Sequence, residues 1–153
     1  MNLPLQIIPL TDRQRQLVAA EWLPRAEAVH RELRPQLPAD YTAALAGIVA
    51  DGGELVIAAC EDTVLGIALF HCYRNTCDGV FFYVDDLVTT SAQRSTGVGR
   101  ALLDWLENEA RQRGARSFHL DSGTHRLDAH RFYFRQRLAV TAFHFSKSLD
   151  QPS

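Results

Sequence analysis

A chain of 153 residues is long enough for one domain with its own apolar core, and 46% apolar against 22% charged residues is a globular rather than a disordered composition. A net charge of −2 supplies no basic field, so neither nucleic acid nor an anionic membrane is read as a partner. Cys60, Cys72 and Cys77 form no CxxC pair, no apolar run nears the ~20 residues of a membrane span, and Met1–Leu10 lacks the basic start of a signal peptide; a cytoplasmic protein with free thiols is expected.

Leu5–Leu10 reads as an opening strand. Thr11 offers a hydroxyl cap to a helix starting at Asp12 and running through Leu17, Val18, Ala20 and Trp22, which Pro24 interrupts or kinks. A second helical piece ends near Arg34-Pro35. Asp40 then caps a helix over Tyr41–Ala50 that Asp51-Gly52-Gly53 closes. Glu54–Cys60, Val64–Tyr73 and Gly79–Thr89 are rich in β-branched and aromatic residues and predict three strands of an antiparallel meander. A helix follows from Gly97 to Gln112, with Val98, Ala101, Leu102, Trp105 and Leu106 on one face and Gly114 as a left-handed stop. Ser117–Asp121 is a fifth strand, Leu127–Arg137 a helix and Val140–Ser148 a last strand. This order indicates an α/β fold with a sheet of mixed direction, and residues 1–153 read as a single domain without linker or repeat.

The chemistry concentrates in Asp85–Arg100, which runs from an apolar strand through a polar loop into an amphipathic helix. The first amides of a helix have no helical partner, and with the positive end of the dipole they suit phosphate oxygens. Gly97 and Gly99 would let a diphosphate approach the backbone, and Arg94 and Arg100 would add positive charge. The run is neither a nucleotide P-loop, which needs Gly-Lys-Ser/Thr, nor a dinucleotide fingerprint, because Arg100-Ala101-Leu102 follows Gly99.

Arg94-x-x-Gly97-x-Gly99 resembles the acetyl-CoA signature of the GCN5-related N-acetyltransferase (GNAT) family. Asp85-Asp86-Leu87-Val88-Thr89 resembles its fourth strand, and Ala129-His130-Arg131-Phe132-Tyr133 its Ala-x-x-Phe-Tyr helix. The resemblance runs loosely from Leu55 to Leu149. It implies a mixed, mostly antiparallel central sheet flanked by helices, with the fourth and fifth strands splayed around the pantetheine arm of acetyl-CoA as cosubstrate. Leu87, Val88 and Thr89 would then line that arm, with the Leu87 N–H facing the thioester carbonyl. Arg94, Ser95, Thr96, Gly97, Val98, Gly99 and Arg100 would hold the diphosphate, and Tyr133 would protonate the departing thiolate.

An attacking ammonium must first lose a proton, for which Asp85, Asp86, Glu32, His71 and His119 are candidates. Strand alternation predicts that only one of Asp85 and Asp86 faces the site. Trp22, His30, Arg31, Glu32 and Tyr41 are expected to wall the acceptor. No histidine spacing defines a metal site. Two departures from the family pattern stand out. Arg126 replaces an asparagine and could meet a phosphate, and Arg137 replaces a helix-stop glycine, so that turn is expected to be made differently. Because only Ala139–Ser148 is left for terminal sheet, a homodimer sharing edge strands is expected. The expected reaction is acetyl transfer to a primary amine of a small molecule. A non-catalytic acyl-CoA module, a protein amine as acceptor and a longer acyl donor are the rival readings.

Overall fold

The run Glu54–Cys60 forms a strand, β2, whose residues Leu55–Ala59 are apolar and buried on both faces, as befits a strand covered from both sides. The computed structural model describes residues 4–93 and 96–150. Around β2 lie β1 (Gln6–Pro9), β3 (Thr63–Asn75), β4 (Gly79–Thr89) and β5 (Phe118–Leu120), in the spatial order β1-β2-β3-β4-β5. The first four pair antiparallel and β4–β5 parallel, so the fold is the mixed, mostly antiparallel sheet expected.

Helices α1 (Leu23–Leu33) and α2 (Tyr41–Ala50) cover one face, and α3 (Val98–Gln112) covers the other. Leu23, Ala26 and Val29 of α1 and Tyr41, Leu45 and Val49 of α2 recur at helical spacing and pack on Leu55, Ile57, Ile67 and Leu69. Val98, Leu102, Leu106 and Ala110 of α3 pack on Val56, Ala58, Ala68, Phe70, Phe82 and Val84. As predicted, Asp40 caps α2, its carboxylate accepting from the Ala43 N–H at 3.0 Å. Gly66 in β3 lets α3 come close. A β-carbon there would lie 2.9 Å from Leu102 Cδ1, 3.1 Å from the Val88 carbonyl oxygen and 3.2 Å from Val98 Cγ1.

Residues 11–22 correct an expectation. No helix starts at Asp12; its carboxylate instead accepts from the Gln14 and Gln16 amides at 2.9 and 3.0 Å, and Arg15 is left-handed at φ 61°. The Thr11 hydroxyl accepts from the buried Leu55 N–H at 3.0 Å and caps nothing. A 3-10 turn, Ala20–Trp22, then leads into α1, whose first turn contains Pro24, so the proline opens a helix rather than kinking one. The physical reason is that Thr and Asp side chains satisfy turn amides as readily as helix amides.

The described fold divides into two compact units, Met1–Leu120 and Asp121–Ser153. The second contains α4 (Leu127–Arg135). After it, Arg137 itself takes the left-handed position at φ 65°, its N–H bonding to the Phe134 carbonyl and that of Leu138 to the Tyr133 carbonyl, both at 3.0 Å. The glycine-type turn is therefore kept without the glycine. Val140–Ser148 is not a strand: its alternating pattern suits one, but no edge in this unit pairs with it. Val140, Phe143, Phe145 and Leu149 are all exposed. Among the described residues no helix is long and apolar enough to cross a membrane.

Candidate active site

The centre of the site is a β-bulge. Asp86 lies opposite Leu69 but Val84 lies opposite Phe70, so Asp85 is an extra residue in β4. The extra residue reverses the strand's alternation. Before it, Phe82 and Val84 pack under α3; after it, Val88 packs under α1 and α2. Both carboxylates consequently lie on the α1 face, where Asp86 meets His30 of α1 and Asp85 meets His71 of β3. The expectation that only one of them faces that side is overturned, because simple alternation fails at a bulge.

Asp86 is buried and fully engaged. His30 Nε2 stands 2.8 Å from one oxygen, and Arg34 contacts the other through Nε at 2.8 Å and Nη2 at 2.7 Å. Burial pushes its carboxyl up, but the hydrogen bonds and charges of His30 and Arg34 overrule this and hold it below the usual carboxylate range. His30 Nδ1 is 2.9 Å from the Tyr41 hydroxyl. Burial, with Glu27 and Asp86 nearby, raises the Tyr41 phenol far above its ordinary value against the pull of Arg31. With Tyr41 as donor, a neutral His30 satisfies both contacts only by donating from Nε2 to Asp86. His30 and Tyr41 are thus buried supports of β4 rather than an open wall. Glu32 supports the strand's far end, accepting from the Ser91 N–H at 2.9 Å and the Thr90 hydroxyl at 3.3 Å. Arg31 donates to the Leu37 and Pro38 carbonyls, both at 2.7 Å, and so closes the α1–α2 connection. Trp22 stacks against the Arg25 guanidinium, 5.0 Å from the ring centre.

Asp85 is half-buried and 2.6 Å from His71 Nδ1. On its other side β4 is open. β5 ends at Leu120, opposite Val84, and from Asp85 to Thr89 β4 has only β3 as a strand partner among the described residues. Thr90 donates to the Leu65 carbonyl of β3 at 2.8 Å; by antiparallel alternation Val88 also faces β3, and the N–H and C=O of Leu87 and Thr89 face the open edge. This is the splay of the fourth and fifth strands that the family resemblance implied.

After a short 3-10 turn, Ser91–Gln93, the chain reaches the glycine segment. Arg94 and Ser95 lie outside the described residues. The Thr96 hydroxyl donates to the Gln93 carbonyl at 2.8 Å, and Gly97 takes the left-handed N-cap position of α3 at φ 86°, which a side chain would strain. The first helical bond runs from the Ala101 N–H to the Gly97 carbonyl, so the Val98, Gly99 and Arg100 amides precede the ladder. Arg100 is exposed and 3.7 Å from Asp104. Gly66 gathers these pieces, bordering both the Val88 carbonyl and the Val98 side chain.

In the second unit Tyr133 is buried on α4, and Arg126 is the N-cap residue of that helix. Burial raises the Tyr133 phenol above its ordinary value, and the charge of Arg126 pulls the other way. Sequence reasoning missed Arg34 and the supporting role of His30. It also missed Gly66, although a lone glycine inside an apolar strand is a known signal of close backbone approach.

The Acetyltransferase (GNAT) family profile matches residues 16–138. The uncharacterized N-acetyltransferase YhdJ of Bacillus subtilis (strain 168) is 33% identical over 121 residues, covering 78% of this chain and 85% of that protein. An aminoalkylphosphonate N-acetyltransferase of Salmonella typhimurium (strain LT2) is 41% identical over 66 residues, which is 43% of each chain, so the match spans under half of that relative's length. Among solved structures, the aminoglycoside N-acetyltransferase AAC(6')-Iy in complex with CoA superposes with a TM-score of 0.78 at 15% identity, over 98% of each chain. The bulged, splayed sheet and the family profile agree, and the chain belongs to the GNAT family of acetyltransferases.

Proposed function

We propose that the protein acetylates a primary amine of a small molecule in the cytoplasm, using acetyl-CoA as cosubstrate and direct attack by the amine. The open edge of β4 beside the bulge carries this reading, because it offers backbone donors where an acyl-pantetheine strand can pair. The chain's groups fit the cosubstrate. Leu87, Val88 and Thr89 would take the pantetheine arm, and the amides of Val98, Gly99 and Arg100 with Arg94, Ser95, Thr96 and Gly97 would take the diphosphate. Acetyl-CoA supplies the activated acetyl thioester. The Leu87 N–H stabilises the negative charge that develops on the carbonyl oxygen, and Asp85 and Asp86 give the acceptor side its negative field. Tyr133, kept protonated by burial, returns a proton to the leaving sulfur, and Arg126 adds a cation for phosphate. Residues 1–153 act as one acetyltransferase domain, since the family match runs across both units.

The name of the Salmonella relative describes an amine that also carries an anion. Two guanidiniums suit such an acceptor: Arg34, on the Asp85 carbonyl at 3.4 Å, and Arg15, which shares the rim of Gly52 with His71, the partner of Asp85. The protein also works as a homodimer, a second copy supplying the pairing that residues 139–150 lack.

Thermal unfolding with and without acetyl-CoA tests the cosubstrate. At 100 times the dissociation constant the native state gains about 2.7 kcal/mol. The shift should disappear in Gly97→Glu, and no shift at millimolar acetyl-CoA would remove the basis of the reading. Tyr133→Phe should keep the shift while slowing turnover by about 100-fold or more.

A further inference from the structure

We propose that His71 is the base that takes the proton from the incoming ammonium, with Asp85 as its positioning residue. The inference rests on the acetyltransferase reading and assigns one step within it.

Of the five groups that could accept this proton, four are already committed. Asp86 is buried and held by His30 and Arg34. Glu32 is tied to Thr90 and Ser91 at the end of β4. His119 packs on the Phe81 ring at 4.6 Å, with Nε2 on the Ser117 hydroxyl at 3.1 Å. Asp85 is engaged at 2.6 Å by His71 Nδ1. His71 is different. One ring nitrogen is fixed by the carboxylate, and Nε2 has no hydrogen-bond partner among the described residues.

An ionised carboxylate only accepts, so the short contact puts the proton of a neutral imidazole on Nδ1 and the lone pair on Nε2. That is the arrangement of a histidine base oriented by an acid. The bulge produces it: in a regular strand adjacent residues point to opposite faces, whereas here Asp85 shares one with both His71 and Asp86, next to the open edge at Leu87. The charged and titratable groups around His71 come from every neighbouring element. Among the described residues they include Asp85 and Tyr83 of β4, Arg34 at the end of α1, Tyr73 and Cys72 of β3, and Arg15 at the rim of Gly52 after α2. Arg15 donates to the Cys72 carbonyl at 2.8 Å, and the rim of Gly52 is bordered by Arg15 Nη1 and His71 Cδ2.

In the step, an R–NH3+ acceptor gives one proton to Nε2, and the amine nitrogen forms the new C–N bond to the acetyl carbon. The C–S bond breaks, its electron pair leaving on sulfur. The second nitrogen-bound proton that must depart replaces the one Tyr133 gives to that sulfur. The products are the N-acetyl amide, free CoA and one proton, which His71 releases to solvent.

Two measurements decide the proposal. Long-range 15N–1H NMR of the free protein should find His71 as the Nδ1–H tautomer, and Asp85→Asn should change that signature; an Nε2–H tautomer in the wild type overturns the proposal. Turnover is then followed across pH with aminomethylphosphonate, spermidine and an aminoglycoside, using whichever the wild type acetylates. His71→Gln should lose about 100-fold in kcat/KM near neutral pH. The deficit should shrink as rising pH deprotonates the amine itself, while the acetyl-CoA thermal shift stays intact. A loss under threefold, or one independent of pH, overturns the role of His71 and leaves the acetyltransferase reading standing. No wild-type turnover of any of the three amines overturns both.

Discussion

Asp86 shows how one buried charge can be structural beside a neighbour to which the proposed reaction assigns a chemical part. Its carboxyl is held below the usual range, so its contribution to stability is fully present above the unfolded carboxylate pKa and is lost as pH falls through the lower folded value. Asp86→Asn should therefore destabilise the protein at pH 7 by about 2 kcal/mol, less than for a fully buried pair because Arg34 is partly in solvent. The gap to wild type should close progressively below about pH 4. Urea midpoints for both proteins along a pH series give the comparison. In the sequence the acidic pair was legible, since two carboxylates in an apolar strand demand partners. The bulge that turns both to one side was not, because no residue type marks an extra position in a pattern of period two. His30 was read as part of an acceptor wall, and its supporting role was hidden, because nothing in the sequence places Asp86, 56 residues on, opposite it.

Elements meet their neighbours through a few small allowances. Gly66 is one, admitting the first turn of α3 to the surface of β3. With Gly66→Ala, Leu102 can rotate its terminal methyl away, but the Val88 carbonyl belongs to the strand and cannot. The variant should lose about 1–3 kcal/mol and, on the proposed function, should raise KM for acetyl-CoA more than it lowers kcat, because the displaced parts are the strand edge and the loop proposed to take it. Equilibrium unfolding with steady-state kinetics separates the two effects. Arg137 is the opposite case, a side chain where glycine would be easier. Arg137→Gly should raise stability by about 1 kcal/mol, read as a higher midpoint in thermal unfolding. Helices with apolar spacing and a distinct stop, α2 and α3, were legible to within a residue or two. Residues 11–22 were not, because Thr11 and Asp12 serve a turn with the same side-chain chemistry that caps a helix.

For the molecule as a whole, the unpaired C-terminal segment bears on assembly. Phe143 and Phe145 are 85% and 90% exposed, and Val140 and Leu149 add to the same apolar segment. Leaving such side chains in water forgoes roughly 1.5–3 kcal/mol apiece, an incentive for two copies to pair. Light scattering at micromolar concentration should give twice the chain mass, and the double variant Phe143→Asp, Phe145→Asp should give the chain mass with acetyl-CoA binding retained. A wild-type monomer would rule out the shared-edge dimer. The alternation in Val140–Ser148 was legible as a strand, but a strand is defined by its partner, which a single chain's sequence does not contain.

The bulge at Asp85 also gives β4 a parity. Substitutions along the strand change one side chain at a time, whereas losing or gaining a single residue between Val84 and Leu87 exchanges the inside and outside of everything beyond it. Descendants of this sequence can therefore drift in chemistry at Asp85, but they must conserve its place in the count. For this strand, length is inherited more strictly than composition.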